Sequence, residues 1–259
     1  MTNALIEQNL AEMAPWHMDI PLPNGMSTAS GNQSDYDDPD LQNVSVIALD
    51  EMRAQVCRMY PNGLSGKTFL DVGCNAGGYC FMANELDAEF AYGFDVRDHW
   101  INQAKLVADL KEISSDRIEF ATHHLDELDS NRKFDITMFK GVFYHLPDPI
   151  HSLKFLADLT AETMILDSAS RNDIPEDCLV ASFESTTHVM SGVDKLNWYP
   201  GGPKMLQNVF DWCGFPHFAT VYWNRDCQGT NREDLGRLRV IASRKAEVIE
   251  AFRESRMVA

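Results

Sequence analysis

From Lys67 onward, short apolar runs alternate with longer amphipathic segments, and this alternation restricts the fold more than any other feature of the chain. Strands alternating with helices of ordinary length favour a mostly parallel sheet with helices on both faces. The sequence therefore predicts an α/β fold with a seven-stranded sheet. The strand candidates are Thr68–Val72, Phe90–Phe94, Ile118–Ala121, Phe134–Phe139, Met164–Leu166, Phe218–Trp223 and Leu238–Ala242, and the helix candidates are Gly78–Leu86, Trp100–Glu112, Ile150–Leu159 and Lys204–Cys213.

The first 62 residues follow a different pattern from the rest of the chain. Apolar residues recur at helical spacing from Leu5 to Met13 and again from Val46 to Met59, before Pro61. The polar stretch Pro23–Asn43 between them has the composition of a loop. We therefore predict an N-terminal helical extension and lid over residues 1–62, and a sheet domain over residues 63–259 with a substrate cap inserted around residues 168–203.

The composition limits the partners and the compartment. A formal net charge of −17 disfavours broad nucleic-acid binding, because a chain this acidic repels phosphate backbones. The chain has no apolar run long enough to span a bilayer and no secretory leader at its N-terminus. Its six cysteines include no CxxC pair and no Cys/His metal spacing, so we expect a cytoplasmic protein without disulfides or a bound metal.

The segment Thr68–Phe81, TFLDVGCNAGGYCF, carries glycines and two cysteines directly after a strand. It is compatible with a nucleotide cradle, a cysteine-based site or only a tight turn into a helix. Its Asp-x-Gly-x-x-x-Gly spacing differs from the dinucleotide fingerprint, and it lacks the Lys-Ser/Thr pair of a P-loop. These departures weaken both phosphate-binding interpretations.

Two aspartates favour a ligand with an amino-acid head and a ribose but no phosphate. Asp71 lies at the end of the first predicted strand, where it could hold an ammonium group. Asp95 ends the next predicted strand, 24 residues later, close to the spacing expected for an acceptor of ribose hydroxyls. The combination makes a purely structural turn a poorer explanation than a nucleoside site.

These residues resemble the class I S-adenosylmethionine-dependent methyltransferases over about Lys67–Lys245. Within them, DVGCNAGGYCF and FDITMFKGVFYHLPDPIHSL are similar to the branch that includes the wobble-uridine tRNA carboxymethyltransferase and its shorter relatives, and Ala14–Thr28 resembles the shorter relatives. The resemblance implies a Rossmann-like sheet and S-adenosylmethionine as the cofactor. It implies cofactor contacts from Asp71, Gly73, Asn75, Gly77, Asp95, Val96, Leu125, Asp126 and Lys140.

The resemblance also indicates where the chemistry takes place. The segment FKGVFYHLPDP normally passes beside the transferred methyl group, which makes Tyr144 and His145 the catalytic candidates. Histidine has the pKa range required to remove a proton from an attacking hydroxyl or amine. A structural role for His145 at a loop corner, and for Lys140 as a solvated strand end, are the alternatives.

The acceptor-binding wall is expected from the least regular parts of the chain. These are the N-terminal segment and the insertion after the fifth predicted strand, which also contains Glu184. The candidate acceptor contacts are Trp16, Tyr36, Arg171, His188, Trp198 and Tyr199. Trp198 and Tyr199 could stack on a planar substrate or pack beneath the last helix.

One departure from the resembled branch bears on the cofactor. The tRNA enzyme binds an extra carboxylate with basic groups, whereas the corresponding segment here, GNQSDYDDPDLQN, contains no Lys or Arg. Arg237 or Arg239 could partly replace a C-terminal arginine, but ordinary S-adenosylmethionine is favoured over carboxy-S-adenosylmethionine. We predict methyl transfer to a small-molecule acceptor, with a tRNA wobble-uridine methyltransferase and a non-enzymatic cofactor-binding protein as alternatives.

Overall fold

The computed structural model describes residues 2–32, 46–184, 190–224 and 234–257, and these residues form seven α-helices and eleven strands. The helices are α1 (Asn3–Glu12), α2 (Asp50–Met59), α3 (Gly78–Glu85), α4 (Asp98–Leu110), α5 (Pro149–Leu159), α6 (Pro203–Trp212) and α7 (Ala246–Met257). The strands are β1 (Met18–Asp19), β2 (Ile47–Ala48), β3 (Thr68–Val72), β4 (Phe90–Asp95), β5 (Ile118–Thr122), β6 (Phe134–Lys140), β7 (Thr160–Arg171), β8 (Leu179–Phe183), β9 (Leu196–Pro200), β10 (His217–Asn224) and β11 (Leu235–Ser243). No helix among these residues is long and apolar enough to cross a membrane.

Seven strands form one sheet in the order β10-β11-β7-β6-β3-β4-β5. Pairing is parallel for β3 with β4, β4 with β5 and β6 with β7, whereas β11 pairs antiparallel with both β7 and β10. Strands buried on both faces are mostly apolar, and β3, β4 and β6 are mostly apolar and mostly buried. The predicted α/β fold with a seven-stranded, mostly parallel sheet is confirmed.

The chain divides into two compact units, which we describe separately. The first comprises described residues of Met1–Cys57, Asn62–Leu128 and Thr187–Met190, and the second those of Arg58–Pro61, Asp129–Thr186 and Ser191–Ala259. The N-terminal segment thus belongs to the same compact unit as β3, β4 and β5. The predicted division at residue 62, into an extension with a lid and a sheet domain, stays a prediction.

In the first unit, buried contacts attach the N-terminal segment to the helices. The side chain of Gln103 on α4 donates hydrogen bonds to the carbonyl oxygens of Met13 (2.6 Å) and Pro15 (2.9 Å). A Cβ atom at Gly78 would lie 2.8 Å from Met18 Sδ, so the N-terminal segment also contacts the first turn of α3. The segment predicted as an N-terminal extension therefore packs against α4 and against the first turn of α3.

In the second unit, β7 is the longest strand and is bonded along most of its length by β6 and β11. Asp148 caps α5, with its Oδ1 accepting a hydrogen bond from His151 N (3.2 Å), and Pro149 occupies the first turn, where no amide donor is needed. The insertion predicted around residues 168–203 contains an antiparallel hairpin of β8 and β9.

The structure differs from the sequence prediction in several elements. The helix expected from Val46 begins at Asp50, because Ile47 and Ala48 pair in parallel with Met18 and Asp19. The β8–β9 hairpin was not predicted, because its strands are half-exposed and lack a continuous apolar run. Helix α7 was also not predicted, although Val248, Ile249 and Phe252 are buried at helical spacing.

Candidate active site

The loop between β3 and α3 turns sharply at three residues with a left-handed backbone. Gly73 has φ 66°, Asn75 has φ 51° and Gly77 has φ 79°. Glycine adopts this conformation without a steric penalty, and asparagine tolerates it better than most residues. Asn75 stabilises the turn through its own side chain, which accepts a hydrogen bond from Ala76 N at 2.8 Å. The sequence DVGCNAGG therefore folds into a compact turn at the carboxyl end of β3, next to the buried side chain of Asp71.

Asp95, at the end of β4, ties this loop to the loop that follows β4. Its Oδ2 accepts a hydrogen bond from Asn75 N (3.1 Å), and its Oδ1 accepts one from Arg97 N (3.1 Å). Burial raises the pKa of Asp95, and the backbone bonds from Arg97 and Asn75 oppose that shift. An ionised carboxylate offers about four acceptor positions, so these two bonds leave capacity for the two hydroxyls of a ribose. The residues present thus fit a nucleoside.

The two cysteines and Gly77 have packing roles in this unit. A Cβ atom at Gly93 on β4 would lie 2.9 Å from Cys74 Sγ and 3.0 Å from Cys80 Sγ, so both thiols fill the space beside a glycine. Burial, together with nearby Asp71, raises the pKa of both thiols, which keeps them protonated and poorly nucleophilic. A Cβ atom at Gly77 would overlap the Phe120 ring at 2.5 Å, so close packing alone requires glycine there.

The predicted adenine-flanking residues lie after β5. Leu125 and Asp126 belong to a short 3₁₀ turn, Leu125–Glu127, in which Leu125 is half-buried and Asp126 exposed. His123, the first of two adjacent histidines, stacks on Phe94 at 4.4 Å and bonds Tyr92 Oη through Nε2 at 2.8 Å. No group of three or more His, Cys, Asp or Glu side chains in the described ranges is arranged to hold a metal ion.

In the second unit, Asp167 on β7 is the centre of a buried polar cluster. Its carboxylate is fully buried and binds Arg237, Arg239 Nε (2.8 Å) and Tyr222 Oη (2.5 Å). Burial alone would raise the pKa of Asp167, but the charges of Arg237, Arg239 and Lys140 outweigh burial and lower it. The carboxylate therefore stays ionised and binds both guanidinium groups.

Lys140 and Tyr144 border this cluster. Lys140, one of the predicted cofactor contacts, ends β6 directly opposite Asp167 in the register. Tyr144 lies in the 3₁₀ turn Phe143–His145, where its hydroxyl accepts a hydrogen bond from Arg237 Nη1 at 3.4 Å. The Arg237 guanidinium also lies 5.7 Å from the centre of the Tyr144 ring. Tyr144 is therefore held by a cation that is itself bound to a buried carboxylate.

His145 lies against a carboxylate from the hairpin. Its Nδ1 is 3.2 Å from Oε2 of Glu184, the residue directly after β8, and the same oxygen accepts a hydrogen bond from Gly192 N at 2.8 Å. The Asn197 amide on β9 is satisfied when its nitrogen faces His145 Nδ1 (3.0 Å), Glu184 Oε2 (3.1 Å) and Tyr144 O (3.2 Å) as a donor, while its oxygen accepts from Tyr199 Oη (2.9 Å). Both the His145 and the Glu184 side chains are mostly buried, with 16% and 9% exposed.

The predicted acceptor contacts lie in different environments. Trp16 is fully buried, and its Nε1 donates to Leu10 O at 2.8 Å. Arg171 binds Asp173 and Asp234.

Trp198 and Tyr199 are neighbours on β9 and point to opposite faces, so they do not form one stacking pair. Trp198 Nε1 donates to Pro147 O at 3.1 Å, whereas Tyr199 is buried and stacks on Tyr144 at 6.2 Å. Two further acceptor candidates, Tyr36 and His188, lie outside the described residues. Among the predicted cofactor contacts, Val96 follows β4 and is half-buried.

The sequence prediction missed how two side chains act in this region. Asp167 follows the apolar run Met164–Leu166, as Asp71 and Asp95 follow or end their own strands, so the same strand-end signal could have identified it. Glu184 was assigned only to the acceptor wall. Its pairing with His145 depends on the folding of the hairpin, which has no local signal in the sequence.

Comparison with known proteins places the chain in a family. The profile described as "Methyltransferase domain" matches residues 64–209, more than half of the 259 residues. The tRNA U34 carboxymethyltransferase of Campylobacter jejuni is 26% identical over 188 residues, which cover 70% of this chain and 60% of that protein. The enzyme of the same name from Aliarcobacter butzleri is 34% identical over 108 residues, which cover 41% of this chain and 34% of that protein. The chain thus spans about 60% or less of the length of these curated relatives.

Solved structures share the fold at low sequence identity. The N-terminal domain of EvdMO1, crystallised with SAH and D-fucose, has a TM-score of 0.70 at 15% identity, and the match covers 95% of this chain and 98% of that one. Magnesium protoporphyrin IX methyltransferase from Synechocystis PCC 6803 has a TM-score of 0.51 at 17% identity, covering 76% and 78% of the two chains. With the profile match, the fold and the glycine-rich turn after β3, the chain belongs to the methyltransferase domain family.

Proposed function

We propose that this methyltransferase transfers the methyl group of S-adenosylmethionine to a small-molecule acceptor by in-line displacement. The observation that carries the proposal is the pair of loops joined by Asp95 at the carboxyl ends of β3 and β4, which suits a nucleoside without phosphates. The cofactor supplies a sulfonium-bound methyl group, whose transfer requires alignment with the acceptor more than it requires acid or base.

The residues of the first unit have separate tasks in this proposal. Asp95 accepts hydrogen bonds from the ribose hydroxyls, because its carboxylate has acceptor positions beyond those used by Asn75 and Arg97. Asp71, buried at the end of β3, balances the charge of the cofactor's ammonium group. The backbone of Gly73 and Asn75 follows the methionine part, and Leu125 and Asp126 flank the adenine.

Ordinary S-adenosylmethionine is the proposed cofactor rather than its carboxylated form. Arg237 and Arg239 were the candidates to bind the extra carboxylate, and both bind the buried Asp167 instead. A cation that already shares a buried carboxylate binds a second anion less strongly, because part of its charge is neutralised. The ion pairs of both arginines with Asp167 therefore support ordinary S-adenosylmethionine, which the absence of Lys and Arg from the segment GNQSDYDDPDLQN also favours.

A small-molecule acceptor is supported by charge and by a structural neighbour. The net charge of −17 opposes binding to nucleic acid, while it presents no barrier to an uncharged metabolite. The EvdMO1 domain that shares this fold was crystallised in the presence of D-fucose, which makes sugars a first class of compounds to test. Hydroxylated natural products form the second class.

The proposal is tested by incubating the protein with S-adenosylmethionine carrying an isotope-labelled methyl group and a metabolite library. We expect mass spectrometry to detect one or a few compounds that acquire the label, together with stoichiometric S-adenosylhomocysteine. Boiled protein is the control for spontaneous methylation. If S-adenosylmethionine binds but no compound, including sugars and tRNA, acquires the label, the chain is a cofactor-binding protein without transferase activity.

Replacing His145 with alanine separates cofactor binding from turnover. We expect His145→Ala to bind S-adenosylmethionine with unchanged affinity, because the proposed ribose and ammonium contacts are made by Asp95 and Asp71 and not by His145. Turnover should fall by about 10²-fold or more, the usual contribution of a positioned base. Binding is measured by calorimetry and turnover by label transfer. Full turnover from neutral to alkaline pH would leave His145 with only a structural role.

A tRNA-modifying methyltransferase is the second candidate, and one observation favours it. The curated relatives named above are tRNA U34 carboxymethyltransferases. The charge of the chain and the engaged arginines count against it, and direct binding measurements decide between the two acceptors.

A further inference from the structure

We propose that a cavity beside β10 binds a small molecule that has an apolar ring system and a single negative charge. The cavity has a volume of about 410 Å³ and lies within the second unit, between α6, α7 and the edge strand β10. The described residues that line it include none of the predicted cofactor, catalytic or acceptor contacts. The cavity is therefore an additional binding site, and its ligand is independent of methyl transfer.

The inner surface of the cavity is apolar and held by the core. Phe252 on α7 and Ala219 on β10 are both buried. The Phe218 ring also lines the cavity, and its centre lies 6.2 Å from the ring of Phe210, which is fully buried on α6. Ligand pockets in proteins have volumes of roughly 300–1,000 Å³ and are mostly apolar. A cavity near the lower end of this range suits a ligand of one or two rings.

Two cations lie at the rim of this apolar surface. Lys204, in the first turn of α6, and Arg253, on α7, are both exposed and line the same cavity. Among the described residues, neither of them forms an ion pair with a carboxylate. Other cations of the second unit do so, since Arg171 binds Asp173 and Arg237 binds Asp167. The charges of Lys204 and Arg253 are therefore available to a bound anion.

The Arg253 guanidinium is held in place by the backbone of β10. Its Nη2 donates a hydrogen bond to Phe218 O at 3.0 Å. Because a guanidinium has five N–H donors and this carbonyl is neutral, most of its donors and its charge remain for a ligand. Guanidinium groups bind carboxylates particularly well, through two parallel hydrogen bonds. Gln207 and Thr220 add an amide and a hydroxyl to the polar part of the lining.

One carboxylate, that of Glu176, also borders the cavity and limits the charge of the ligand. The backbone oxygen of Glu176 accepts a hydrogen bond from Met205 N at 3.0 Å, which fixes the loop between β7 and β8 against the first turn of α6. A Cβ atom at Gly202 would lie 3.1 Å from Glu176 Cγ, so this side chain packs on the start of the helix. Two cations and one carboxylate leave one net positive charge in the lining. This balance favours a monoanion over a neutral molecule.

The site is tested with naphthoate, an aromatic monoanion, and with naphthamide, its uncharged counterpart of similar shape. Saturation-transfer NMR of the full chain measures the affinity for each compound. We expect naphthoate to bind several-fold more tightly than naphthamide. Its affinity should fall as salt is added, because salt screens the charges of the exposed cations. Saturating S-adenosylhomocysteine should leave the affinity for naphthoate unchanged, since the cavity includes none of the proposed cofactor contacts.

Substitutions of the charged lining residues locate the bound probe through effects of opposite sign. Lys204→Gln and Arg253→Gln should each weaken the binding of naphthoate by about threefold, the size expected for an exposed ion pair. Glu176→Gln should strengthen it by about the same factor, because a repelling charge is removed. Lys245→Gln is the matched control, since it removes an exposed cation of the same unit that does not line the cavity, and it should change nothing. All four side chains are exposed, so the variants are expected to fold.

Three results would overturn the proposal. Absence of naphthoate binding, or equal affinity for naphthoate and naphthamide, would mean that the cavity does not select an aromatic monoanion. Unchanged affinity in both Lys204→Gln and Arg253→Gln would mean that the probe binds elsewhere on the chain. Displacement of naphthoate by S-adenosylhomocysteine would place the probe in the cofactor site. These measurements do not require methyl transfer, so their failure differs from a failure of the labelled screen.

Discussion

The carboxylate of Asp95 organises two loops and still has acceptor positions for a ligand. It is buried, it bonds the amides of Asn75 and Arg97, and burial raises its pKa from the ordinary value of 3.8. The same side chain therefore couples the shape of the first unit to its ability to bind a nucleoside. Because Asp95 both holds the loops together and offers acceptors to the ligand, the affinity for the ligand depends on whether its carboxyl group is protonated.

This coupling predicts an acid limit to cofactor binding. Because the pKa of Asp95 is raised, its charged form is lost as the pH falls, at values above 3.8 where an ordinary aspartate is still ionised. A neutral carboxyl group accepts hydrogen bonds from ribose hydroxyls less strongly, so affinity for S-adenosylmethionine should decline over this range. Calorimetric titrations from neutral pH downward measure the decline. Asp95→Asn should bind more weakly but without this pH dependence, and a flat profile for the native protein would separate Asp95 from the ligand.

At the level of elements, the strands and their ends could be predicted from the sequence. The mostly apolar composition of β3, β4 and β6 predicts these strands, because buried strands have such composition. Asp71 and Asp95 could be predicted as ligand contacts because they lie near the carboxyl ends of β3 and β4. The hairpin of β8 and β9 could not be predicted in this way. Its side chains are half-exposed, and its importance arises from Glu184 meeting His145, 39 positions earlier in the chain. Pairing of this kind is a product of tertiary structure.

The cluster around Asp167 connects β7 to β11 and β10, and it predicts a large change in stability. Removing one charge from a buried ionic group leaves its partners without compensation, which typically costs about 3–5 kcal/mol. Asp167→Asn should therefore lower the free energy of unfolding by about this amount, because Arg237 and Arg239 lose their shared anion. Urea denaturation at neutral pH measures the loss.

Asp173→Asn is the matched control for this prediction, because Asp173 pairs with Arg171 at the surface. Surface ion pairs contribute little to the free energy of unfolding, so Asp173→Asn should leave that free energy unchanged. The sign of the pH dependence provides a second check. The pKa of Asp167 is lowered on folding, so its contribution is present above the pKa of an unfolded aspartate and is lost as the pH falls below about 4. Equal stability of Asp167→Asn and the native protein would contradict a stabilising cluster.

At the scale of the whole molecule, the charge predicts which acceptors are excluded. A net charge of −17 repels tRNA at long range, and this repulsion is strongest at low salt, where screening is weakest. We therefore expect no binding of a labelled tRNA transcript in fluorescence anisotropy at low salt, with or without S-adenosylmethionine. Saturable binding that weakens steeply with added salt would instead support the tRNA alternative, since release of counterions from phosphate contacts produces that dependence.

Calorimetric titration of the full chain with S-adenosylmethionine measures whether the loops joined by Asp95 bind this compound. We expect one site per chain, and Asp95→Ala should weaken binding by about tenfold or more, the loss expected for hydrogen bonds to a charged group. Asp109→Ala, which removes an exposed carboxylate on α4 in the same unit, should bind as the native protein does. Equal affinity of Asp95→Ala and the native protein would mean that Asp95 does not bind the cofactor, and no binding by the native protein would mean that these loops are not a site for S-adenosylmethionine.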